Sequence, residues 1–322
     1  MEKKIRIGIL GLGTVGSKVV DLIQVNKERA KIEYGIELEI VGIMIRDRNK
    51  KRNVATKGIR LTENIDDIVK NPDIDICIEC MGGVGTEQTK NAVIMALCNH
   101  KHVIMSSKKC LALYGKEIFL AAKENNRQLR IEASVGGGIP ICSTIMHMSQ
   151  GETIKKIFGI VNATSNYILT AMNNDKTYEE ALTQAKKNGL AENNPEEDVD
   201  GLDAAYKLCI LVRLCMKLDV NINDIQPVSI TKLSVNDMKA AKEEGKIIKP
   251  IFYANVNEKE EMECFVGPYA VSKENPLAFV NDNNNMIFVE GKYSGLRAFY
   301  GQGAGASPTA SVIYDDLMDI IK

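Results

Sequence analysis

Asp203 and Lys207 form a pair of residues whose types and spacing could do chemistry. They lie in the segment 189–214, whose second half carries apolar residues at the three- and four-residue steps of a helix. Residues four apart share one helix face, so a carboxylate that orients and an ammonium that donates a proton would be brought together. The alternative is an ordinary exposed ion pair on an amphipathic helix, which contributes only a few tenths of a kcal/mol.

The first half of the same segment is acidic and rich in turn formers. Its acids include Glu192 and Asp198, and Asp200 with Gly201 stands where the helix should begin. We expect Asp200 to cap that helix, because a short acidic side chain accepts hydrogen bonds from the unpaired N–H groups of a first turn.

A glycine motif near the start of the chain predicts nucleotide binding. Gly11-Leu-Gly13-Thr14-Val15-Gly16 lies between the strand-like segment Ile5–Leu10 and a helical segment, which is the context that a dinucleotide fingerprint requires. Gly11 allows a tight turn, Gly13 lets the backbone approach a pyrophosphate, and Gly16 lets helix and strand pack closely. The phosphate would then meet the positive end of the helix.

The residues after the second strand, Glu37–Ile45, bear on the choice between NAD and NADP. An acid at this place would bind the ribose hydroxyls of NAD, but here Asp47 stands within a basic run, residues 46–52. Arg46 at the strand end suits a 2′-phosphate, so we expect NADP to be preferred over NAD. The alternative is a solvated run of charges with no influence on the cofactor.

Strand-like and helical segments alternate through the first part of the chain, which predicts an α/β fold with a Rossmann-type doubly wound parallel sheet. The further strands are Ile74–Cys80, His102–Ser106 and Gln128–Ala133, and the helices are Glu87–Leu97 and Lys108–Ala122. Ligands of such sheets bind beyond the carboxyl ends of the strands. Gly82, Gly83, Ser106 and Lys108 lie there.

A change of pattern after Ser134 predicts a second domain. We expect a dinucleotide-binding domain over residues 1–134, completed by 301–322, and an α+β domain over 135–300. The second domain has strand-like runs that look antiparallel: Thr153–Ala163, Ile247–Val256, Met262–Val266, Met286–Val289 and Leu296–Tyr300. Helices are expected at Thr177–Asn188 and, closing the chain, at Pro308–Ile321.

Composition excludes several classes of function. The 322 residues carry a formal net charge of −1, which leaves no electrostatic footprint for nucleic acid or an anionic membrane. No run approaches the ~18 apolar residues of a transmembrane helix, and no signal peptide precedes the first strand. The eight cysteines lie mostly in apolar segments, as free thiols of a cytoplasmic protein do. Cys77 and Cys80 have the spacing of a redox or zinc motif, but a buried strand is the favoured interpretation.

Six motifs, taken together, resemble those of homoserine dehydrogenases in order and spacing along nearly the whole chain. They are GLGTVG (11–16), SSKK (106–109), EASVGGGIP (132–140), GIVNATSNYIL (159–169), AENNPEEDVDGLDAAYKL (191–208) and GAGASPTAS (303–311). The block at 191–208 is the most specific. The resemblance implies reduction of L-aspartate 4-semialdehyde to L-homoserine with NADH or NADPH, on the threonine, methionine and isoleucine branch of aspartate metabolism.

The resemblance also implies roles for individual residues. Lys207 matches a lysine proposed to protonate the carbonyl oxygen, and Lys108 matches a second lysine near the substrate. Glu192, Asp198 and Asp203 match acids of the substrate pocket. One further set matches a loop that in the family binds a sodium ion, mainly through backbone carbonyls: Glu132, Val135, Gly137 and Ile139. Another set matches the segment in which the chain returns to the cofactor: Gly303 and Ala304.

Three residues depart from the family's usual pattern: Ser107 in place of Asn, Ala163 in place of Gly, and Gln302 in place of Pro. Ser107 and Ala163 match positions near the cofactor and the substrate, so the exact substrate and the reaction rate stay open, whereas the reaction class does not. The chain ends soon after its closing helix, so we expect no C-terminal regulatory ACT domain of the kind that many members carry. Because the family assembles through the second domain, we expect a homodimer or homotetramer.

Two other functions are weighed against this one. A related reductase could act on another small aldehyde or hydroxy acid, and a substrate panel would separate the two enzymes. A nucleotide-binding regulatory module that had lost catalysis would be expected to lack Lys207 or Lys108, and both are present.

Overall fold

Two units of chain can be distinguished in the computed structural model, which describes residues 3–50, 52 and 54–322. The first unit comprises residues 1–137 and 305–322, and the second comprises 138–304. Lys51, one residue of the basic run, lies outside the described residues. That the second unit binds substrate and forms the dimer stays a prediction.

The first unit contains a six-stranded parallel sheet of order β3-β2-β1-β4-β5-β6. Its strands are β1 (Lys3–Leu10), β2 (Ile36–Met44), β3 (Arg60–Thr62), β4 (Ile76–Glu79), β5 (His102–Met105) and β6 (Leu129–Arg130). The strand order reverses between β1 and β4, and ligands of doubly wound sheets bind beyond the carboxyl ends of the strands at such a point.

Helices of the first unit cover this sheet and complete its core. They are α1 (Thr14–Val25), α2 (Lys27–Tyr34), α3 (Asp66–Val69), α4 (Thr86–Cys98), α5 (Lys108–Glu124) and, from the end of the chain, α12 (Ala306–Ile321). Ile313 and Leu317 of α12 are buried in the same apolar cluster as Ile9 of β1 and Val19 of α1. The closing helix is therefore part of the first unit's core.

The second unit contains a five-stranded antiparallel sheet of order β11-β10-β7-β8-β9. Its strands are β7 (Ile154–Ile160), β8 (Lys246–Val256), β9 (Met262–Ser272), β10 (Asn284–Gly291) and β11 (Gly295–Gln302). Its helices are α6 (Cys142–Met148), α7 (Ala163–Asn173), α8 (Tyr178–Lys187), α9 (Glu196–Val199), α10 (Leu202–Met216) and α11 (Val235–Glu243). Helix α10 packs on β7 and β8 and is buried along most of its length. The predicted fold class is confirmed.

Several predicted boundaries were wrong. The strand expected at Met262–Val266 extends to Ser272, and three other differences have a local reason. The strand expected at Gln128–Ala133 is only Leu129–Arg130, because a 3₁₀ turn over Glu132–Ser134 follows it. The strand expected to run to Ala163 ends at Ile160, because Asn162 caps a new helix. The closing helix begins at Ala306, so its proline is the third residue and not the first.

Asp200 does not cap α10, contrary to the prediction. Its Oδ1 accepts a hydrogen bond from Ser229 Oγ (2.7 Å), and the N-cap residue is Gly201, which makes no side-chain cap. Gly201 has φ +80°, and a Cβ there would lie 3.1 Å from Cβ of Pro227. The sharp entry into α10 thus depends on a glycine that accepts a left-handed backbone conformation.

The cysteines agree with the prediction of free thiols and of a buried strand at Cys77 and Cys80. All eight cysteines have free thiols, and Cys77 and Cys80 are buried in β4 and directly after it. Burial raises the pKa of Cys77 to about 12, so this thiol is poorly suited to redox or metal chemistry. Within residues 3–50, 52 and 54–322, no helix is long and apolar enough to cross a membrane.

Lys249 in β8 predicts a pH dependence of stability. Its side chain is fully buried, and Nζ donates to the Val280 carbonyl oxygen (2.6 Å) and to Asn281 Oδ1 (2.8 Å). Burial lowers the pKa of Lys249 from 10.5 to about 8. The unfolded chain therefore holds this proton more tightly, and the free energy of unfolding should rise by about 3 kcal/mol as the pH increases across this interval.

Urea unfolding of the wild type and of Lys249→Met at several pH values between these limits measures this contribution. The rise with pH should be largely absent in Lys249→Met. It should persist in Lys246→Met, because Lys246 is paired with Glu244 near the surface. Equal pH dependence in the wild type and Lys249→Met would contradict the assignment.

Candidate active site

Lys207 and Asp203 form a buried ion pair on α10 in the second unit. The distance from Lys207 Nζ to Asp203 Oδ2 is 2.7 Å, and the two side chains are only 10% and 3% exposed. Nζ also donates to the carbonyl oxygen of Val161 (2.8 Å), the first residue after β7 in the short loop that leads to α7. The four-residue spacing predicted the pair, but the exposed surface pair considered as an alternative is excluded by its burial.

Asn162 and Asp198 extend this pair into a polar network. The side-chain amide nitrogen of Asn162 donates to Asp198 Oδ1 and to Asp203 Oδ2, both at 2.7 Å. Asp198 lies on the short helix α9, and Ser165 Oγ donates to its carbonyl oxygen (2.8 Å). The network thus joins α10, α9 and the start of α7, elements that are distant in the sequence.

Neighbouring groups shift the pKa of the Asp198 carboxyl group in both directions, with a net rise. Burial raises its pKa, and the charge of Asp203 raises it further. Hydrogen bonds from Asn162 and Thr164 and the charge of Lys207 act in the opposite direction. Asp198 and Asp203 therefore make an acidic site that gains from any added cation, which is the property expected of a site for an ammonium group.

Glu192 is more exposed than the members of this network. It is exposed in the loop between α8 and α9, whereas Asp198 and Asp203 are partly or fully buried. Of the catalytic and substrate-binding residues predicted from the sequence, the structure brings together Lys207, Asp203 and Asp198. Lys108 belongs to the first unit, where it is the first residue of α5.

The glycine motif in the first unit has the geometry of a phosphate-binding turn. Gly11 has φ +101°, and a Cβ on it would clash with the carbonyl oxygen of Cys80. A Cβ on Gly16 would clash with the carbonyl oxygen of Gly11, whereas one on Gly13 would meet nothing within 4 Å. Gly13 is also the N-cap of α1, with no side chain to pair the first-turn N–H groups at Thr14 and Val15. The turn is tight where packing needs it and open where a phosphate would approach.

Arg46 links two loops at the carboxyl edge of the same sheet. It follows β2, is exposed, and donates from Nη1 to the carbonyl oxygen of Gly83 (2.9 Å) in the loop after β4. Gly83 has φ +76°. Arg46 and the predicted cofactor residues Gly82 and Gly83 are therefore neighbours.

Glu79, which the sequence analysis did not single out, organises two loops of the first unit. The carboxyl group is fully buried at the end of β4 and accepts from the N–H groups of Met81 (2.6 Å), Ser106 (3.1 Å) and Ser107 (3.0 Å). It also accepts from the Ser107 hydroxyl (2.7 Å), so the residue that departs from the family pattern is part of this arrangement. An acid inside the apolar run Ile74–Cys80 was the signal that could have identified it.

The residues predicted to hold a sodium ion lie on both sides of the unit boundary. Glu132, Val135 and Gly137 belong to the first unit, and Ile139 belongs to the second. Gly136 and Gly137 both have positive φ, and the Glu132 N–H donates to Asp316 Oδ2 (3.0 Å). Burial and the Glu132 carboxylate raise the pKa of Asp316 to about 7. Among the described residues, no cluster of three His, Cys, Asp or Glu side chains could hold a metal ion, and the sodium ligands implied by the resemblance are mainly backbone carbonyls.

The remaining residues to place are the predicted cofactor residues Gly303 and Ala304 and the two other departures from the family pattern, Ala163 and Gln302. Gly303 in the second unit donates its N–H to the Asn283 carbonyl oxygen (3.1 Å), and a Cβ on it would clash with Asn285. Ala304, next to it, is exposed. Ala163 begins α7 without strain, and Gln302 uses its carbonyl oxygen to accept from Gly138 (3.1 Å).

Comparison with known proteins agrees with this geometry. A family model described as homoserine dehydrogenase matches residues 140–318, and one described as the NAD-binding domain of homoserine dehydrogenase matches residues 11–132. Homoserine dehydrogenase of Bacillus subtilis is 40% identical over 321 residues, which are 99% of this chain and 73% of that protein. The protein of the same name from Synechocystis is 39% identical, over 98% and 73% of the two chains. The crystal structure of a homoserine dehydrogenase from Thiobacillus denitrificans superposes with a TM-score of 0.91 at 34% identity, over 99% of this chain and 73% of the other.

Proposed function

The chain belongs to the homoserine dehydrogenase family, and on this premise we propose that its buried Asp203–Lys207 pair and the neighbouring acids bind and protonate the substrate. The chain is an NAD(P)-dependent oxidoreductase of amino-acid biosynthesis that interconverts L-aspartate 4-semialdehyde and L-homoserine. The observation that carries the proposal is the ammonium group of Lys207, held by a carboxylate and a backbone carbonyl inside a largely buried polar network.

Lys207 has the properties that a proton donor to an aldehyde oxygen needs. Negative charge builds on that oxygen during reduction, and a nearby ammonium both stabilises the charge and supplies the proton. An ammonium has three donors, and in the described part of the chain Lys207 uses two of them for Asp203 and Val161. The third N–H would serve the substrate oxygen. Lys108 is the second lysine that we assign to orienting the substrate or transferring its proton.

The acidic residues of the site suit the amino-acid end of the substrate. Asp198 and Asp203 are carboxylates in a largely buried region, and an α-ammonium group would relieve the repulsion between them. Glu192, exposed in the adjoining loop, would complete this set from the solvent side. An aldehyde without an amino group would gain nothing from these acids, so the site favours an amino-acid aldehyde.

Activity with a substrate panel in the oxidative direction tests this choice. L-homoserine should reduce NADP⁺ or NAD⁺ much faster than hydroxy acids of similar size that lack the amino group. A deaminated analogue that reacted as well as homoserine would show that the acids do not select the substrate.

The first unit would hold NAD(P), and its glycine turn fits the phosphates. The open side of Gly13 and the uncapped start of α1 provide a close backbone approach and N–H donors. Residues Gly82, Gly83 and Ser106 at the carboxyl edge of the sheet, with Gly303 and Ala304 of the second unit, complete the set that we assign to the cofactor. When bound, the nicotinamide supplies the hydride for the reduction.

We assign a preference for NADP over NAD to Arg46. Arg46→Ala should weaken NADPH binding by about 1–2 kcal/mol, because a charge-assisted hydrogen bond to the 2′-phosphate would be lost. NADH binding should change little. Fluorescence titration of both cofactors measures this, with Arg48→Ala as the matched control, since Arg48 is exposed and paired with Glu63. Equal losses for NADPH and NADH would show that Arg46 only supports the loop at Gly83.

We retain the proposal that a sodium ion binds at Glu132, Val135, Gly137 and Ile139. Backbone carbonyl oxygens are suitable ligands for a hard cation, and two consecutive left-handed glycines give this loop a sharp turn. The ion would stabilise the loop and takes no part in the proton transfer described above.

We propose that the second unit forms the contact of a homodimer or homotetramer through its sheet. One face carries a cross-strand row of residues from all five strands: Phe265, Tyr253, Phe158, Phe288 and Ala298. Phe158 and Phe288 are stacked with ring centroids 4.9 Å apart. On the same face of the edge strand β11, Leu296 and Tyr300 are more than half exposed. An apolar face of this kind is typical of an interface between subunits. The partners of the chain are thus a small-molecule substrate and its own copies, and a cytoplasmic location stays a prediction.

A further inference from the structure

We propose that Asn162 is a positioning residue for the reaction: its side-chain amide holds Asp203 and Asp198 in place and, through Asp203, fixes the ammonium group of Lys207. The proposal rests on the function assigned above to Lys207. Asn162 is 4% exposed and is the N-cap of α7. The residue before it, Val161, accepts the second hydrogen bond of Lys207 through its carbonyl oxygen.

Every polar atom of the Asn162 side chain is used. Nδ2 donates to Asp198 Oδ1 (2.7 Å) and Asp203 Oδ2 (2.7 Å), and Oδ1 accepts from the Ser165 N–H (2.8 Å). The same oxygen of Asp203 lies 2.7 Å from Lys207 Nζ. One carboxylate oxygen therefore receives both the amide and the ammonium, and a shift of Asn162 would move the lysine's partner.

The amide also offsets the electrostatic repulsion between the two carboxylates. Asp198 and Asp203 repel one another in a region where burial already disfavours charge. The two N–H groups of Asn162 present positive ends of bond dipoles to both carboxylates at once. Without them, the carboxylates would move apart or one would take up a proton, and either change would alter the site for the substrate's ammonium group.

Helix capping alone does not account for this arrangement. A cap needs only an oxygen that accepts an N–H of the first turn, and serine or aspartate would serve as well as asparagine. Only an amide caps the helix and also donates to two carboxylates. The choice of asparagine at this position is therefore explained by the donors and not by the cap.

Asn162→Ser and Asn162→Asp separate the two roles, because both keep a capping oxygen but neither keeps the two N–H donors: aspartate has no donor, and serine has a single O–H that cannot serve both carboxylates. We expect kcat/KM for aspartate semialdehyde to fall about 10- to 100-fold in Asn162→Ser, the scale of a misplaced catalytic group. Both kcat and KM for the aldehyde should contribute, while KM for NADPH stays unchanged. Asn162→Asp should be worse, because it adds a third carboxylate. The control is Asn275→Ser, which alters a cap of the same kind at a 3₁₀ turn of the same unit. Wild-type kinetics in Asn162→Ser would overturn the proposal.

A double-variant cycle and a structure keep the test independent of folding and of the reaction. If Asn162 acts on the two carboxylates, Asp198→Asn should lessen the loss caused by Asn162→Ser, and additive effects would count against the proposal. Crystal structures of the wild type and Asn162→Ser should differ in the position of Asp203 or Lys207. If Asp203 and Lys207 occupy the same positions in both structures, the positioning role is refuted, whatever the substrate. If these side chains move in Asn162→Ser but the wild type is inactive on aspartate semialdehyde, only the proposed function is refuted.

Discussion

Replacing Lys207 with alanine is expected to lower turnover by about 10²-fold or more, the scale of general-acid catalysis, while NADPH binding persists. The reason is that Lys207 is the ammonium held inside the acidic network, by Asp203 at 2.7 Å and by the carbonyl oxygen of Val161 at 2.8 Å. Steady-state kinetics with aspartate semialdehyde measure the loss, and a cofactor titration confirms that the first unit is intact.

Two further variants identify what Lys207 contributes. Lys207→Arg keeps a positive charge but gives up no proton near neutral pH, so it should remain far slower than the wild type if proton donation matters. Lys207→Met combined with Asp203→Asn avoids an unpaired buried carboxylate, which would otherwise destabilise the protein. Lys186→Ala is the surface control, since Lys186 lies exposed near the end of α8. Full turnover in Lys207→Ala would refute the assignment.

Replacing Glu79 with alanine is expected to lower the free energy of unfolding of the first unit by about 3–5 kcal/mol. Three N–H groups and one hydroxyl lose their acceptor, and each buried donor left unpaired costs about 1–3 kcal/mol, less where water can enter. The loops after β4 and β5 would lose their shared anchor, so NADPH affinity should fall as well. Urea unfolding and cofactor titration measure the two effects.

Glu79→Gln refines the same test. It keeps one oxygen but turns an amide N–H₂ group toward donors, so its stability should lie between those of the wild type and Glu79→Ala. Glu63→Ala is the control, because Glu63 is an exposed acid of the same unit. If Glu79→Ala unfolded like the wild type, the loops would be held by other contacts and this account of Glu79 would be wrong.

The residues that the sequence identified are those whose role is local. The glycine turn and the Asp203–Lys207 pair follow from short spacings along a strand-to-helix turn and a helix, and both were predicted. The burial of that pair was not predicted, because it depends on β7 and on the loop before α7. Alternation of strands and helices indicated the parallel sheet, and several strand-like runs with few strand–helix units between them indicated the antiparallel one.

The residues that were missed act across long stretches of sequence. Asn162 meets Asp198 and Asp203 from the start of a different helix, and Glu79 meets Ser106 and Ser107 from the neighbouring strand. A capping residue or one acid in a buried strand has many local explanations, and only the tertiary contacts distinguish among them. The wrong cap at Asp200 has the same origin, since Ser229 binds its side chain.

The most direct test of the account is the rate at which the purified wild type consumes NADPH and NADH with L-aspartate 4-semialdehyde, followed by absorbance. We predict rapid oxidation of both cofactors, faster with NADPH at low concentration, and reduction of NADP⁺ when L-homoserine is supplied instead. Absence of turnover with aspartate semialdehyde and homoserine, in a protein that binds NADPH and is folded, would contradict the function proposed for this chain.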